Sequence, residues 1–343
     1  MTLQNVYILA IESSCDDTAA AVLKNNVVLS NVIATQKVHQ KYGGVVPELA
    51  SRAHQQNIVP VVDQALEQAG ITKNDLHGIA FTKGPGLMGS LLVGVSFAKS
   101  LSMALKIPLI EVNHMQGHLL AHFIEGASDS IPQFPFLGLT ISGGHTQIVQ
   151  VNEHFNMEVI GETIDDAIGE AFDKSAKTLG LPYPGGPLID KYAQLGNPKA
   201  YHFTKPKVGD LNFSFSGFKT AVLYFIQKQV KTNTNFIEEN MNDICASIQY
   251  TLTNIILDKL KKAVKQTGIK TIAIGGGVSA NSGIRNILLN AEKKYGWKVH
   301  IPEFEYTTDN AAMIGIVGYY KYLQKDFTDL SVTAAARSKI ALN

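Results

Sequence analysis

Apolar runs of strand length alternate with helix-length amphipathic stretches along the whole chain. The apolar runs predict strands over 6–11, 18–23 and 27–29, with a turn at Asn25-Asn26 joining the last two. Residues 47–69 read as a helix with an irregularity at Pro60, since proline removes one backbone donor. A strand over 78–82 leads into the loop Lys83-Gly84-Pro85-Gly86, followed by an apolar helix over 87–105, a strand over 107–112 and a helix over 114–124. The stretch 125–135 (EGASDSIPQFP) has linker composition. Beyond it, a strand over 136–141, a Ser142-Gly143-Gly144 turn and a strand over 147–151 repeat the N-terminal pattern, so a duplication offset by roughly 130 residues is expected. Residues 173–219, rich in Gly and Pro, predict long loops with short helices. A helix over 242–265, a strand over 271–274 ending in Gly275-Gly276-Gly277, and a helix over 309–324 with Thr308 or Asp309 near its N-cap complete the pattern.

The expected architecture is an α/β chain of two lobes with an interlobe cleft as the default ligand site. The first lobe is expected over 1–125, the second over 134–325, and a tail over 326–343 is expected to return to the first lobe. The chain has 343 residues, 45% of them hydrophobic and 17% charged, which excludes disorder as its main state. Lys+Arg 30 against Asp+Glu 29 gives net charge +1, so any polyanion must be met by a local patch or with a partner's help. The two cysteines, Cys15 and Cys245, have no metal-type or disulfide-framework spacing, which fits a reducing compartment. The N-terminus lacks a leader pattern and no uncharged apolar run reaches membrane-span length, so a cytoplasmic location is expected.

Three patterns carry chemistry. His114 and His118, four apart on a helix, place two imidazoles on one face about 6 Å apart along the axis, as metal ligands often are. His122 continues the stripe, but three such histidines do not converge on one ion. Asp309, opening a helix after a strand, is the candidate third ligand, and two His with one carboxylate suit Fe(II) or Zn(II). A zinc-protease reading fails because Met115 stands where the general-base Glu would be. The second pattern is the pair of strand-turn-strand loops at 12–18 and 142–146. Each is either a plain hairpin turn or a ligand cradle, and Asp16 and Asp17 in the first suit a cation or a reacting proton better than a bare phosphate. The third, Gly275-Gly276-Gly277-Val278-Ser279-Ala280-Asn281, lets a nucleotide approach the backbone or simply makes a tight strand-to-helix turn; it is not a dinucleotide fingerprint. Asp165, Asp166, Glu170 and Asp173 are interleaved with small residues as on a cleft wall, where aspartates accept ribose hydroxyls. For the lysines at 259–270 and at 199–207 a solvated face is preferred to an RNA-binding patch.

The strings IESSCDDTAAAVL, GGVVPELASRAH, GPGLMGSLLVG, VNHMQGHLLAH, ISGGHTQIV, GETIDDAIGEAFDK, YPGGPLIDKYA, FSFSGFKTAV, GGGVSANSGIR and TTDNAAMIG run co-linearly from about residue 6 to about 320. Together they closely resemble the tRNA N6-adenosine threonylcarbamoyltransferase family, once labelled O-sialoglycoprotein endopeptidase. The resemblance implies the two-lobed fold of actin, Hsp70 and sugar kinases. It also implies transfer of a threonylcarbamoyl group from threonylcarbamoyl-adenylate to N6 of adenosine 37 in tRNAs reading ANN codons, with release of AMP. By the same resemblance His114, His118 and Asp309 are metal ligands, with Fe(2+) the ion implied and Zn(2+) the alternative. Thr140, Ile141, Ser142, Gly143 and Gly144 form a substrate-binding loop, Asp173, Gly186, Asp190 and Asn281 hold the adenylate's nucleoside, and Asp16 and Asp17 lie near the reacting centre. The implied partners are tRNA, the non-catalytic paralogue TsaB as a heterodimer partner, the P-loop ATPase TsaE and the threonylcarbamoyl-AMP synthase TsaC. Two departures stand out: Thr307 replaces a common Cys, and the tail AAARSKIALN matches the family's Arg-Pro-rich ending poorly. His122 lies outside the family pattern. An ATP-dependent small-molecule kinase and a non-catalytic scaffold paralogue are the rival readings.

Overall fold

The computed structural model describes residues 5–340. In chain order its strands are β1 (Tyr7–Glu12), β2 (Asp17–Lys24), β3 (Val27–Thr35), β4 (Gly78–Gly84), β5 (Leu109–Asn113), β6 (Phe136–Ile141), β7 (Thr146–Val151), β8 (Met157–Glu162), β9 (Thr271–Gly275) and β10 (Lys298–His300). Its helices are α1 (Pro47–Ala69), α2 (Met88–Leu105), α3 (His114–Leu120), α4 (Ile168–Thr178), α5 (Gly186–Ala193), α6 (Ser216–Val230), α7 (Phe236–Thr267), α8 (Ser282–Tyr295) and α9 (Ala311–Gln324). Among the described residues the chain forms two compact units, one made of 5–131, 154–156 and 302–340, the other of 132–153 and 157–301.

The first unit holds a five-stranded sheet of order β3-β2-β1-β4-β5. β1 pairs antiparallel with β2, and β1, β4 and β5 run parallel. The interior strands β1, β2 and β4 are buried almost throughout, which is why their sequences are continuous apolar runs and not alternations. β3, at the edge, is mostly partly exposed and runs on to Thr35, beyond the expected end at 29. One core is formed by Leu9, Ile11, Val22, Ile79 and Phe81 with Ile58, Val61 and Val62 of α1 and Val95 and Ala98 of α2. α1 is helical straight through Pro60. α2 is long and apolar enough, by length and composition, to cross a membrane, but it packs on α1 and β4 as a core helix does.

The second unit repeats this plan. Its sheet has the order β10-β9-β6-β7-β8, with β6, β7 and β8 antiparallel neighbours and β6, β9 and β10 parallel. Strand for strand, β6 to β10 take the places of β1 to β5. Phe172, Phe213, Phe215, Phe218, Ile248, Leu252 and Ile274 are among its core residues.

Two expectations need correction. The second lobe does not run to 325: residues 302–325 belong to the first unit, because α9 lies on that unit's sheet. Small residues permit the approach, since a Cβ on Gly318 would stand 2.4 Å from Cβ of Ala80 and one on Gly315 would stand 2.3 Å from Leu23. The α9 N-cap is Asn310, whose Oδ1 accepts from the Met313 N–H at 3.0 Å, so Thr308 and Asp309 precede the helix. The tail is described to residue 340; its last three positions lie outside the described residues.

Candidate functional site

β1 is apolar until its last position, where Glu12 is fully buried. A buried carboxylate needs partners to stay ionised, and three donors converge on it. The Ser14 N–H donates to Oε1, Thr82 Oγ1 of β4 donates to Oε2 at 2.6 Å, and His114 Nδ1–H donates to Oε2 at 3.0 Å. His114 is the first residue of α3, whose N-cap Asn113 accepts from the Met115 N–H at 2.9 Å.

With Nδ1 committed to Glu12, His114 turns Nε2 toward His118 Nε2, 3.1 Å away. Asp309 Oδ1 lies 3.4 Å from the first and 3.2 Å from the second. Two unprotonated Nε2 lone pairs would oppose each other at this distance, so a proton or a cation must lie among them. Ligands at about 2.0–2.2 Å from one ion stand roughly 3.0–3.4 Å apart in octahedral or tetrahedral geometry, and the three observed edges match. The donor set therefore fits a metal, and the Glu12–His114 pair is the carboxylate–histidine arrangement that orients such ligands. His118 has no corresponding support: its buried Nδ1 has no hydrogen-bond partner.

Without a metal, burial disfavours charge on all of these groups, but their proximity reverses the outcome for most. Glu12 and Asp309 hold His114 well above the ordinary histidine range, while His114 holds Glu12 low and the two imidazoles hold Asp309 well below the carboxylate range. His118 goes the other way, lowered first by burial and then by its charged neighbour His114. The metal-free centre is thus a cation held between two carboxylates, with His118 neutral.

The loop 13–16 between β1 and β2 is pinned from both helices. The Cys15 carbonyl accepts from His54 Nε2–H of α1 and from Ser90 Oγ of α2, each at 3.0 Å, and Thr18 Oγ1 donates to His54 Nδ1 at 2.7 Å. A Cβ at position 94 would meet Ser13 Oγ at 2.2 Å, so a larger residue there would displace the Ser13 hydroxyl from its bond to the Ser90 carbonyl. Asp17 starts β2, its Oδ1 is buried without a partner, and burial, followed by the charges of Asp16, Asp309 and Glu12, pushes its carboxyl up to about 7 against a bond from Thr35. Burial, followed by the charges of Asp16, Asp309 and Asp17, pushes the Cys15 thiol far up, which leaves it without thiolate character.

The remaining anticipated residues lie in the second unit. Thr140 and Ile141 close β6; Thr140 Oγ1 is buried and without a partner. Ser142 Oγ accepts from the N–H groups of Gly144 and His145, leaving Gly143 and Gly144 exposed. Gly276 (φ +91°) sits where a Cβ would be 2.5 Å from the Ile141 carbonyl oxygen, so glycine is needed at that position to bring the end of β9 against the end of β6. Asp173 Oδ1 accepts from the N–H groups of Gly185 and Gly186 at 2.8 and 3.0 Å, and burial raises its pKa against those bonds. Asp190 takes both the N–H and the hydroxyl of Ser282, and Asn281 caps α8 through the Ile284 N–H while donating to Gln249. Together with Gly186, these three side chains hold the turns at the starts of α5 and α8. Asp165 is a fixture of the same kind, accepting from Ser214, Phe215 and Ser216 at the start of α6.

Sequence reasoning placed Glu12 in the candidate loop at 12–18 without a role of its own and missed Thr82, His54 and Ser90 as parts of the site. A charged residue ending a fully apolar strand was the one signal available for Glu12. His122 is buried in the turn after α3 and is not one of the three converging ligands.

A family model described as tRNA N6-adenosine threonylcarbamoyltransferase matches residues 27–316. The protein of that name from Christiangramia forsetii is 73% identical over 339 residues, which covers 99% of this chain and 100% of that one. The one from Riemerella anatipestifer is 59% identical over 338 residues, 98% of this chain and 99% of that one. Among solved structures, the activator of the 2-hydroxyisocaproyl-CoA dehydratase from Clostridium difficile aligns over 94% of this chain and 99% of its own, with a TM-score of 0.51 and 14% identity. That likeness is one of fold, a duplicated α/β architecture. Matched by the family model across most of its length and by relatives along nearly all of it, the chain belongs to the tRNA N6-adenosine threonylcarbamoyltransferase family.

Proposed function

We propose that the chain transfers the threonylcarbamoyl group of threonylcarbamoyl-adenylate to N6 of adenosine 37 in tRNAs that read ANN codons. The carbonyl carbon forms a bond to N6, its bond to the phosphate oxygen breaks, AMP leaves, and N6 gives up one proton. Adenine N6 is a weak nucleophile because its lone pair is delocalised into the ring, so orientation and proton removal must carry much of the rate. Asp17, at about 7, is suited to accept that proton near neutral pH, with Asp16 beside it at the turn. His114, His118 and Asp309 hold the metal, which we assign as Fe(2+) with Zn(2+) the alternative. Such an ion, when bound, supplies a Lewis acid for an acyl or phosphoryl oxygen. Glu12 keeps His114 in the tautomer that leaves Nε2 free. In the second unit, loop residues Thr140–Gly144 with Asp173, Gly186, Asp190 and Asn281 receive the adenylate, whose hydroxyls find acceptors on the aspartates.

The observation that carries this reading is the Nε2–Nε2–Oδ1 triangle with its buried Glu12 support, in a chain with these relatives. A sugar or other small-molecule kinase would have no use for that convergence, and a scaffold paralogue would not need to retain it. The working assembly includes tRNA, the paralogue TsaB, the ATPase TsaE and the synthase TsaC, in the cytoplasm. The test is nucleoside mass spectrometry on an unmodified ANN-reading tRNA incubated with these proteins, threonine, bicarbonate and ATP. Threonylcarbamoyladenosine should form with the parent chain and vanish with His114→Ala/His118→Ala. No product from the parent, with every partner active, would overturn the assignment.

A further inference from the structure

The tail beyond α9 returns along the first unit and ends on the metal helix. The Ala335 N–H donates to the Lys83 carbonyl and the Gly86 N–H to the Ala336 carbonyl. A Cβ on Gly84 would stand 1.9 Å from the Ala335 carbonyl oxygen, so glycine is required for the tail to lie this close. Further on, Asn113 Nδ2 donates to the Lys339 carbonyl at 2.9 Å and to Ser338 Oγ at 3.1 Å, and Gln116 Nε2 donates to the Ile340 carbonyl at 3.0 Å. Gln116 and Ile340 are both buried.

These contacts fall on the residue before His114 and the second residue after it. Asn113 is bifunctional: its Oδ1 caps α3 and its Nδ2 holds the tail. α3 has only seven residues, too short to be held by its own hydrogen bonds. His114 sits in its first turn, where helices fray most readily. We infer that residues 338–340 act as a positioning strap, which fixes the start of α3 through Asn113 and Gln116 and so keeps the Nε2 atoms of His114 and His118 at metal-binding separation. The inference rests on the metal reading given under the proposed function.

Its test uses the full chain with three changes. Asn113→Ser keeps a cap acceptor but lacks the amide Nδ2 that reaches Ser338 and the Lys339 carbonyl. Gln116→Met keeps length and removes the donor to Ile340. The third ends the chain after Ala336, which retains the pairing at Lys83 and Gly86. Affinity is measured for Co(2+) by competition with a chromophoric chelator, together with the Co(2+) absorption spectrum and the thermal midpoint of each metal-free protein. Losing an outer support of a metal ligand typically weakens binding 10–100-fold. We expect roughly tenfold weaker binding in each point variant and more in the shortened chain, with a changed Co(2+) spectrum and a metal-free midpoint close to the parent's. Parent-like affinity and spectrum in all three would overturn the strap while leaving the metal centre standing. Loss that only tracks a lower metal-free midpoint would also overturn it, as general destabilisation. A parent chain that binds no metal would overturn the metal reading and the strap with it.

Discussion

Replacing Glu12 by Gln preserves shape and removes one buried charge, and the three groups around it determine the effect on the metal. Glu12 faces the Ser14 N–H, the Thr82 hydroxyl and His114 Nδ1–H. An amide offers one acceptor and one donor end. If its oxygen faces Ser14, its NH2 faces His114, which must then accept at Nδ1 and carry its proton on Nε2, the tautomer that blocks the metal. If its oxygen faces His114, NH2 meets the Ser14 N–H and two buried donors oppose each other. Either way metal affinity falls by about 10–100-fold, or about 1.4–2.7 kcal/mol. A second effect opposes the first. In the parent, Glu12 helps to hold a proton on His114 that the metal must displace, so apparent affinity rises with pH up to the raised His114 value, by about tenfold per unit. Without Glu12 that competition weakens. The gap between parent and variant should therefore be widest at high pH and narrow toward neutrality. Chelator competition across a pH series reads both curves. Equal affinities, or curves that stay parallel at every pH, would refute the reasoning.

Other residues give further outcomes. Asp17→Asn should lower single-turnover formation of threonylcarbamoyladenosine by about 10²–10⁴ and abolish an activity rise centred near pH 7; a parent-like profile would assign proton removal elsewhere. In the metal-free chain, His114 is raised above its unfolded value, so its stabilisation is complete below about pH 6.5 and is lost as pH climbs through the folded value. The lowered histidines His54 and His118 give their full contribution above that same point. The metal-free thermal midpoint should therefore fall from about pH 6.5 to about pH 8; a midpoint that rises over this range would contradict the charge assignment. Gly276→Ala places a methyl against the Ile141 carbonyl in a left-handed backbone conformation and should cost about 2 kcal/mol or more in denaturant unfolding; a change under about 0.5 kcal/mol would show that the ends of β6 and β9 can separate freely.

Much of the fold is legible in the amino-acid sequence alone. Interior strands such as β1, β2 and β4 are buried on both faces, so their apolar runs stand out, and the repeat of strand, polar turn and strand announces the duplication. The i, i+4 pair of His114 and His118 is readable because one helix supplies both. The hidden parts depend on contacts far apart in sequence. The three-residue edge strand β10 is too short to carry a period. The position of α9 depends on Gly315 and Gly318 meeting Leu23 and Ala80, a fit between surfaces that no local pattern encodes. Glu12 supports a histidine 102 positions later, and Asn113 holds a carbonyl 226 positions away. Asp173, Asp190 and Asn281 are expected as ligand contacts from the family resemblance, and in the structure each fastens a turn, a role that depends on partners distant in sequence or on local geometry.

The discontinuity of the first unit sets an order of events on the ribosome. The whole second unit lies within residues 132–301, which emerge before the segment 302–340 that completes the first. At about 5–20 residues per second, the second unit can fold while the first still lacks α9, Asp309 and the strap. Until that segment arrives, His114 and His118 lack Asp309 beside them, and the face of the first sheet that α9 covers stays open. The proposed metal centre therefore depends on nearly complete synthesis, because a chain interrupted before residue 309 has His114 and His118 without Asp309.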